Sequence, residues 1–188
     1  MVDLGTGDGA AVMDAARAAP ATLCVGLDTD AAAMRERSTR AARSARHGGL
    51  PNALFLAGDA RALPVAFAGR IDAVHVTLPW GSLLRMVLEA DADLVAAIAT
   101  GLGPGGRLAV ITSVDQRDRA SLGDLARHAD LALFADGLQD AGLRVTAQRD
   151  VVASDVATLR SSWARRLGIP VRRSARLLSA EKPASLSG

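Results

Sequence analysis

The sequence contains no tyrosine, three phenylalanines, two tryptophans and one cysteine, Cys24, in 188 residues. A lone cysteine cannot close an internal disulfide, so the chain is expected to live in a reducing, cytoplasmic compartment. No run approaches the roughly 18 apolar residues of a membrane span. The most apolar region, 92 to 114, is broken by Gly101, Gly103, Pro104, Gly105, Gly106 and Arg107. Met1-Val2-Asp3 lacks the basic and then apolar run of a secretion signal. Lysine is almost absent, with Lys182 standing against 21 arginines. What is there, 49% hydrophobic and 22% charged residues, suits one globular domain large enough to bury a core.

The formal net charge is only +2, but it is unevenly spread. Residues 35 to 46 carry a local +4 from Arg35, Arg37, Arg40, Arg43 and Arg46 against Glu36, and residues 160 to 176 carry +6 with no acid. The remainder is therefore at −8. Two basic patches on an otherwise acidic chain suit a polyanionic partner better than a merely soluble surface.

Short apolar runs alternate with helical patterns. The spacing predicts strands at 1–4, 23–27, 53–57, 71–77, 107–113, 143–151 and near 171–179, and helices at 9–19, 31–46, 91–100 and within 119–141. Gly103-Pro104-Gly105-Gly106 is expected to stop a helix and turn the chain into the next strand. Such alternation implies an α/β fold, a doubly wound Rossmann-like sheet with helices on both faces. The domain is expected to span 1–180, with 181–188 as a flexible polar tail.

Asp3-Leu4-Gly5-Thr6-Gly7-Asp8-Gly9 follows the first strand and opens a helix. Gly5, Gly7 and Ala10 also satisfy the permissive dinucleotide spacing, in which amides and a helix N-terminus receive a pyrophosphate. The acids point instead to S-adenosylmethionine (SAM). Asp3 precedes the glycines, where its carboxylate can hold the methionyl ammonium, and Asp8 within the loop would repel a pyrophosphate. Asp28 ends the second strand, placed to accept from both ribose hydroxyls, and Gly58-Asp59-Ala60 ends the third, where adenine contacts are expected.

Leu78-Pro79-Trp80 follows the fourth strand. Enzymes that methylate an exocyclic amine commonly carry Asn or Asp at the first of these positions, to accept a hydrogen bond as the amine loses its proton. Leu78 offers no acceptor. A ring nitrogen such as adenine N1 needs none, because its lone pair is free at neutral pH. His75, in an apolar strand, reads as a packing residue rather than a base.

The glycine loop resembles motif I of class I SAM-dependent methyltransferases. Together with Gly48-Gly49-Leu50-Pro51-Asn52, Leu78-Pro79-Trp80-Gly81-Ser82-Leu83-Leu84-Arg85 and Ser161-Ser162-Trp163-Ala164-Arg165-Arg166-Leu167, it is similar to the aminoglycoside-resistance 16S rRNA adenine-N1 methyltransferases that act on adenine 1408. The likeness runs in order from residue 2 to about 178, and the last two motifs are much more specific than the loop.

The resemblance implies a mostly parallel sheet with an antiparallel last strand, and SAM as cofactor. Asp3, Gly5, Thr6, Gly7, Asp8, Asp28, Asp59, Ala60, Leu78 and Ser82 are then expected to hold it. Trp80 and Trp163 match a pair that stacks on a flipped base, and Ser161 a polar group that positions it. The arginines Arg43, Arg46, Arg165, Arg166, Arg172 and Arg173 are expected to meet phosphates. The implied partner is 16S rRNA in the 30S subunit, met by a monomer, with no membrane and no metal involved. The family's N-terminal hairpin ahead of motif I is expected to be missing. Where relatives place an acid near the adenine, Asp59 is displaced and Arg61 stands instead. The competing readings are a SAM-dependent enzyme for another RNA or a small molecule, a binding-only relative, and a nucleotide-linked dehydrogenase.

Overall fold

The computed structural model describes residues 1–152, 155 and 174–184. Seven strands form one sheet in the order β3-β2-β1-β4-β5-β7-β6. They are β1 (Val2–Leu4), β2 (Cys24–Asp28), β3 (Ala53–Ala57), β4 (Ile71–Thr77), β5 (Leu102–Thr112), β6 (Arg144–Asp150) and β7 (Arg176–Glu181). β1 runs parallel to β2 and β4, and β2–β3 and β4–β5 are also parallel. β7 runs antiparallel to both β5 and β6, so the expected antiparallel last strand is present, inserted inside the edge.

The helices are α1 (Ala10–Ala18), α2 (Ala31–Ala41), α3 (Gly81–Glu89), α4 (Ala92–Gly101), α5 (Gln116–Leu122) and α6 (Ala132–Asp140). β1 is buried along its whole length, as a strand covered on both faces must be. The main core joins Leu4, Val74, Val76 and Val110 of the sheet to Val87 and Leu88 of α3, Leu94 and Ile98 of α4, and Phe134 and Leu138 of α6. After β3 the chain crosses back to the far side of β1 to lay down β4. The strand order reverses there, and the carboxyl ends of β1 and β4 diverge to leave the crevice where such sheets take their ligands.

Four sequence-based expectations need correction. Helix α3 lies where the sequence suggests a turn, because Pro79, Gly81 and Ser82 look like turn residues. Its buried Leu83, Leu84, Val87 and Leu88 nevertheless have helical spacing. Helix α2 ends at Ala41 rather than 46, and a short 3-10 turn, Ala45–His47, follows. The cause lies in the next motif. Leu50 returns its amide to the Ala41 carbonyl at 2.9 Å, and the chain at Gly49 passes so close to the Arg43 carbonyl that a Cβ would sit 1.7 Å from its oxygen. Asn52 fastens the same turn to the end of α1, donating from Nδ2 to the carbonyls of Ala16, Ala19 and Thr22. Gly49→Ala is therefore expected to cost about 1–3 kcal/mol, as overpacking does, measured as a lower urea midpoint.

The third correction concerns Gly103-Pro104-Gly105-Gly106, which lies inside β5 rather than before it. The ladder to β4 is irregular between Ile71↔Leu102 and Ala73↔Arg107, and these residues occupy that irregularity. The fourth concerns the tail. Strand β7 reaches Glu181, and Lys182 exchanges backbone hydrogen bonds with Gly105 and Gly106 at 2.9 and 2.8 Å. The Lys182 ammonium donates to the carbonyls of Ala99 and Leu102, both at 2.8 Å, where α4 ends and its dipole favours a cation. Glu181 thus belongs to the sheet and Lys182 is fastened beside it, and the expected strand start at 171 lies outside the described residues.

Candidate active site

The glycine loop is held to the sheet by its own backbone. Gly5 and Thr6 donate to the Leu27 carbonyl at 2.8 and 3.2 Å, and Gly9 donates to the Thr6 carbonyl at 3.0 Å. The Gly7 amide donates to Asp28 Oδ2 at 2.8 Å, and the Ala10 amide to Asp8 Oδ1 at 3.0 Å. Gly5 has φ +70°, and a Cβ there would meet Leu83 Cδ2 at 2.5 Å, so the loop requires glycine where it turns beneath α3. These five amides are consumed within the chain. The loop therefore cannot offer them to a pyrophosphate, which answers the dinucleotide reading and corrects the expectation that they serve as ligand donors.

Asp3 leaves β1 directly below this loop and is buried, with 5% of its surface exposed. Burial pushes its carboxyl up to about 6; the nearby Thr6 hydroxyl pulls the other way and the Asp28 carboxylate adds to the rise. Thr6 Oγ1 is buried close to this carboxyl, but among the described residues it meets no partner at full hydrogen-bond geometry. A buried acid beside an orphaned hydroxyl is a costly arrangement that a bound cation with N–H donors would relieve. Asp28 takes the Gly7 amide on one oxygen and the Asp30 amide on the other at 2.9 Å, which fixes its plane. About four acceptor sites exist on a carboxylate, so two remain for a pair of hydroxyls.

Asp59 lies two residues beyond the end of β3 and is held by Arg61 through both oxygens, with Nη2 to Oδ2 at 2.7 Å and Nε to Oδ1 at 3.1 Å. The Arg61 hydrogen bonds hold the Asp59 carboxyl below the usual carboxylate range. The displaced acid and the arginine that stands beyond it are thus one unit at the rim.

On the opposite wall β4 ends at Thr77, and Leu78 takes φ +53°, a left-handed conformation that a leucine adopts only under constraint. Its amide is tied to the Ile111 carbonyl at 2.7 Å, and its side chain is buried with Ile111, Val151, Ala175 and Leu177. This bend sends Trp80 outward as the N-cap residue of α3, with 79% of its surface exposed. A tryptophan kept for the core would be covered. His75 is half-buried in β4, and burial lowers its pKa, in keeping with its expected packing role.

These walls enclose a cavity of about 480 Å³, within the range of small-molecule sites. All ten residues expected to hold the cofactor line it: Asp3, Gly5, Thr6, Gly7, Asp8, Asp28, Asp59, Ala60, Leu78 and Ser82. Trp80 lies at the same cavity. The sequence reading missed Thr29, Thr77, Leu83 and Met86, which also line it. Leu83 and Met86 could have been found from the helical spacing after Trp80. Arg43 and Arg46 are exposed and lie off the cavity, in the turn after α2 rather than on it. Ser161, Trp163, Arg165, Arg166, Arg172 and Arg173 lie outside the described residues.

The chemistry of this set fits SAM. It offers a buried carboxylate and hydroxyl for the amino acid end, a fixed carboxylate for the ribose, the end of β3 for the adenine, and apolar Leu78, Leu83 and Met86 between. Because Asp3 must be ionised to hold an ammonium, SAM affinity is expected to be constant above the Asp3 pKa of about 6. Below it, affinity falls by about tenfold per pH unit, and calorimetric titration across pH 5 to 8 measures the profile.

Comparison with known proteins points the same way. Residues 1–182 match the family model described as NpmA, 16S rRNA (adenine(1408)-N(1))-methyltransferase. The protein of that name from Streptoalloteichus tenebrarius is 34% identical over 173 residues, covering 89% of this chain and 79% of its own. A tryptophan-to-alanine variant of the Catenulisporales acidiphilia enzyme, crystallised with cosubstrate SAM, superposes with a TM-score of 0.84 at 31% identity, over all of this chain and 87% of that one. The 16S rRNA methyltransferase KamB gives 0.80 at 32% identity, over 97% and 86%. The match of nearly the whole chain shows that it belongs to the 16S rRNA (adenine(1408)-N(1))-methyltransferase family.

Proposed function

We propose that this chain methylates N1 of adenine 1408 in 16S rRNA, acting as a monomer on the assembled 30S subunit in the cytoplasm and conferring aminoglycoside resistance. The observation that carries the reading is Trp80, an exposed indole at the mouth of the SAM cavity, on a backbone bent out of the sheet by Leu78. When bound, SAM supplies an electrophilic methyl group on a sulfonium. The N1 lone pair forms the new N–C bond as the S–C bond breaks, leaving the positive charge on the adenine and S-adenosylhomocysteine in the cavity.

No proton has to leave N1 in that step, and the site matches this need. Among the described residues lining the cavity there is no histidine or cysteine. Asp3, Asp28 and Asp59 are occupied in holding cofactor or neighbouring groups. Catalysis then rests on placing nucleophile and methyl in line with water excluded. Trp80 holds one face of the flipped base, and Trp163 and Ser161 are assigned to its other side by the family motif. The methyl group blocks the Watson–Crick edge and adds charge, which removes the hydrogen bonds an aminoglycoside would make there.

Docking draws on the basic turn. Among the described residues Arg35, Arg40, Arg43 and Arg46 are exposed and have no ion pair. Arg165, Arg166, Arg172 and Arg173 extend the phosphate-binding surface in this reading. Arg43→Ala and Arg46→Ala are each expected to reduce the log–log salt slope of 30S binding by about 1, measured by filter binding over a salt series.

Primer extension on purified 30S subunits incubated with the protein and SAM tests the whole reading. A SAM-dependent stop one base before adenine 1408 is expected. Absence of the stop, with the same subunits modified by a known enzyme, rejects it.

A further inference from the structure

The arginine cluster on α2 contains one member that does not face outward with the others. Arg37 reaches from α2 to the glycine loop, where its Nη1 lies 3.1 Å from Asp8 Oδ2 and donates to the Asp8 carbonyl at 3.2 Å. Its side chain is 31% exposed, and the two residues are 29 apart in sequence. The other oxygen of Asp8 accepts the amide of Ala10, the first residue of α1.

This contact closes a ring. The residue before Asp8 is Gly7, whose amide orients Asp28. The other Asp28 oxygen is held by the amide of Asp30, the N-cap of α2, whose side chain accepts from Ala32 and Ala33. The helix that bears Arg37 thus begins at one side of the ribose carboxylate and returns, two turns later, to grip the loop on its other side. Among the described residues, the other hydrogen-bonded link between the loop from Gly7 to Gly9 and the start of α2 runs through Asp28.

We infer that Arg37 is a positioning residue of the cofactor site, fixing Asp8 and through it the Gly7–Asp28 hydrogen bond, and that it is not a phosphate ligand. The inference rests on the SAM reading of the cavity but not on the identity of the methylated RNA. Its sign separates it from a simple charge effect. SAM carries a sulfonium, an ammonium and a carboxylate, hence a net positive charge. Removing a nearby guanidinium would, by field alone, tighten SAM binding. Loss of the grip weakens it.

The test is calorimetric titration of the purified protein with SAM, without ribosomes, for wild type, Arg37→Ala, Arg37→Gln and Arg40→Ala. Arg37→Ala is expected to raise the SAM Kd by roughly three- to tenfold, the scale of a partly exposed ion pair and one charge-assisted hydrogen bond. Arg37→Gln, which keeps a donor but not the charge, is expected to fall between it and wild type. In turnover the loss is expected in KM for SAM more than in kcat. Arg40→Ala removes the same charge from the same helix; it is expected to leave the SAM Kd unchanged and to weaken 30S binding. At 1 M salt, where screening acts within about 3 Å, the difference between wild type and Arg37→Ala is expected to shrink. A SAM Kd for Arg37→Ala that is unchanged or tighter overturns the inference. So does a loss of 30S affinity matching that of Arg40→Ala. If Arg37→Ala does not fold, the Arg37→Gln titration decides alone: weaker SAM binding supports the inference, and an unchanged Kd overturns it. A missing primer-extension stop alongside a weakened SAM Kd in Arg37→Ala would reject the proposed target and leave the role of Arg37 standing.

Discussion

Asp3→Asn is expected to produce a protein that melts at a higher temperature and binds SAM about a hundredfold or more weakly. Folding raises the Asp3 pKa from 3.8 to about 6, chiefly through burial. A carboxyl raised in the folded state is a group whose ionisation opposes folding. Its contribution is neutral below pH 3.8, the stability declines as pH rises through about 6, and above that the cost is constant. The shift corresponds to about 3 kcal/mol, at about 1.4 kcal/mol per unit. Asn removes the charge at nearly constant volume and brings an amide beside Thr6 Oγ1, which otherwise meets no partner at full hydrogen-bond geometry among the described residues. The same change deletes the counter-charge for the ammonium of SAM, and a loss of about a hundredfold or more in affinity is expected, the scale of a buried charged partner. Thermal denaturation of the SAM-free protein at pH 7.5, paired with calorimetry, checks both halves. A melting temperature that falls together with affinity would show that Asp3 supports the fold and that the cation-binding role is misplaced.

Trp80→Ala is expected to preserve SAM binding and the fold while removing most of the rRNA methylation. With 79% of its surface exposed, the indole contributes little to the core, so its truncation should move the melting temperature by a degree or two at most. Stacking of a base on an aromatic side chain is worth about 1–3 kcal/mol, against a flipping cost of a few kcal/mol. Losing one face of the stack therefore shifts the flipped state toward the helix and lowers kcat/KM by roughly 10- to 100-fold. Trp80→Phe, which keeps a smaller ring, is expected to recover part of the loss. Single-turnover methylation of 30S subunits at saturating SAM measures it, and equal rates for wild type and Trp80→Ala would remove Trp80 from the site.

The order of elements and the cofactor residues were legible because their signals are local. Asp3, the glycines and Asp28 sit at strand ends, and a strand end followed by glycine announces where a side chain must face a ligand. Helix α3 was hidden because its first residues, Trp80, Gly81 and Ser82, carry turn chemistry, and only the later spacing of Leu83, Leu84, Val87 and Leu88 reveals it. The end of α2 is hidden for a different reason. Arginine and alanine continue a helix without penalty, and what stops this one is the packing of Gly49 on the Arg43 carbonyl, a contact between two turns of chain.

Partner choice was the least legible. The sequence treats the arginines from 35 to 46 alike, yet the fold turns Arg37 inward to Asp8 and leaves Arg43 and Arg46 outward. Likewise the loop amides look free for a phosphate until the Leu27 carbonyl and the Asp28 carboxylate are brought alongside. Both facts depend on residues about twenty to thirty positions apart.

Lys182 has a practical consequence. It is the only side-chain primary amine in the chain, and its nitrogen is engaged by the carbonyls of Ala99 and Leu102 at the end of α4. An acylating reagent can attack that nitrogen only when it is deprotonated and released from both carbonyls, so modification competes with the hold of Lys182 on the end of α4. The labelling rate, read by mass spectrometry at one position, becomes a clock for the release of this side chain from the end of α4. Reagents that cross-link lysines to ribosomal proteins would report that release together with docking.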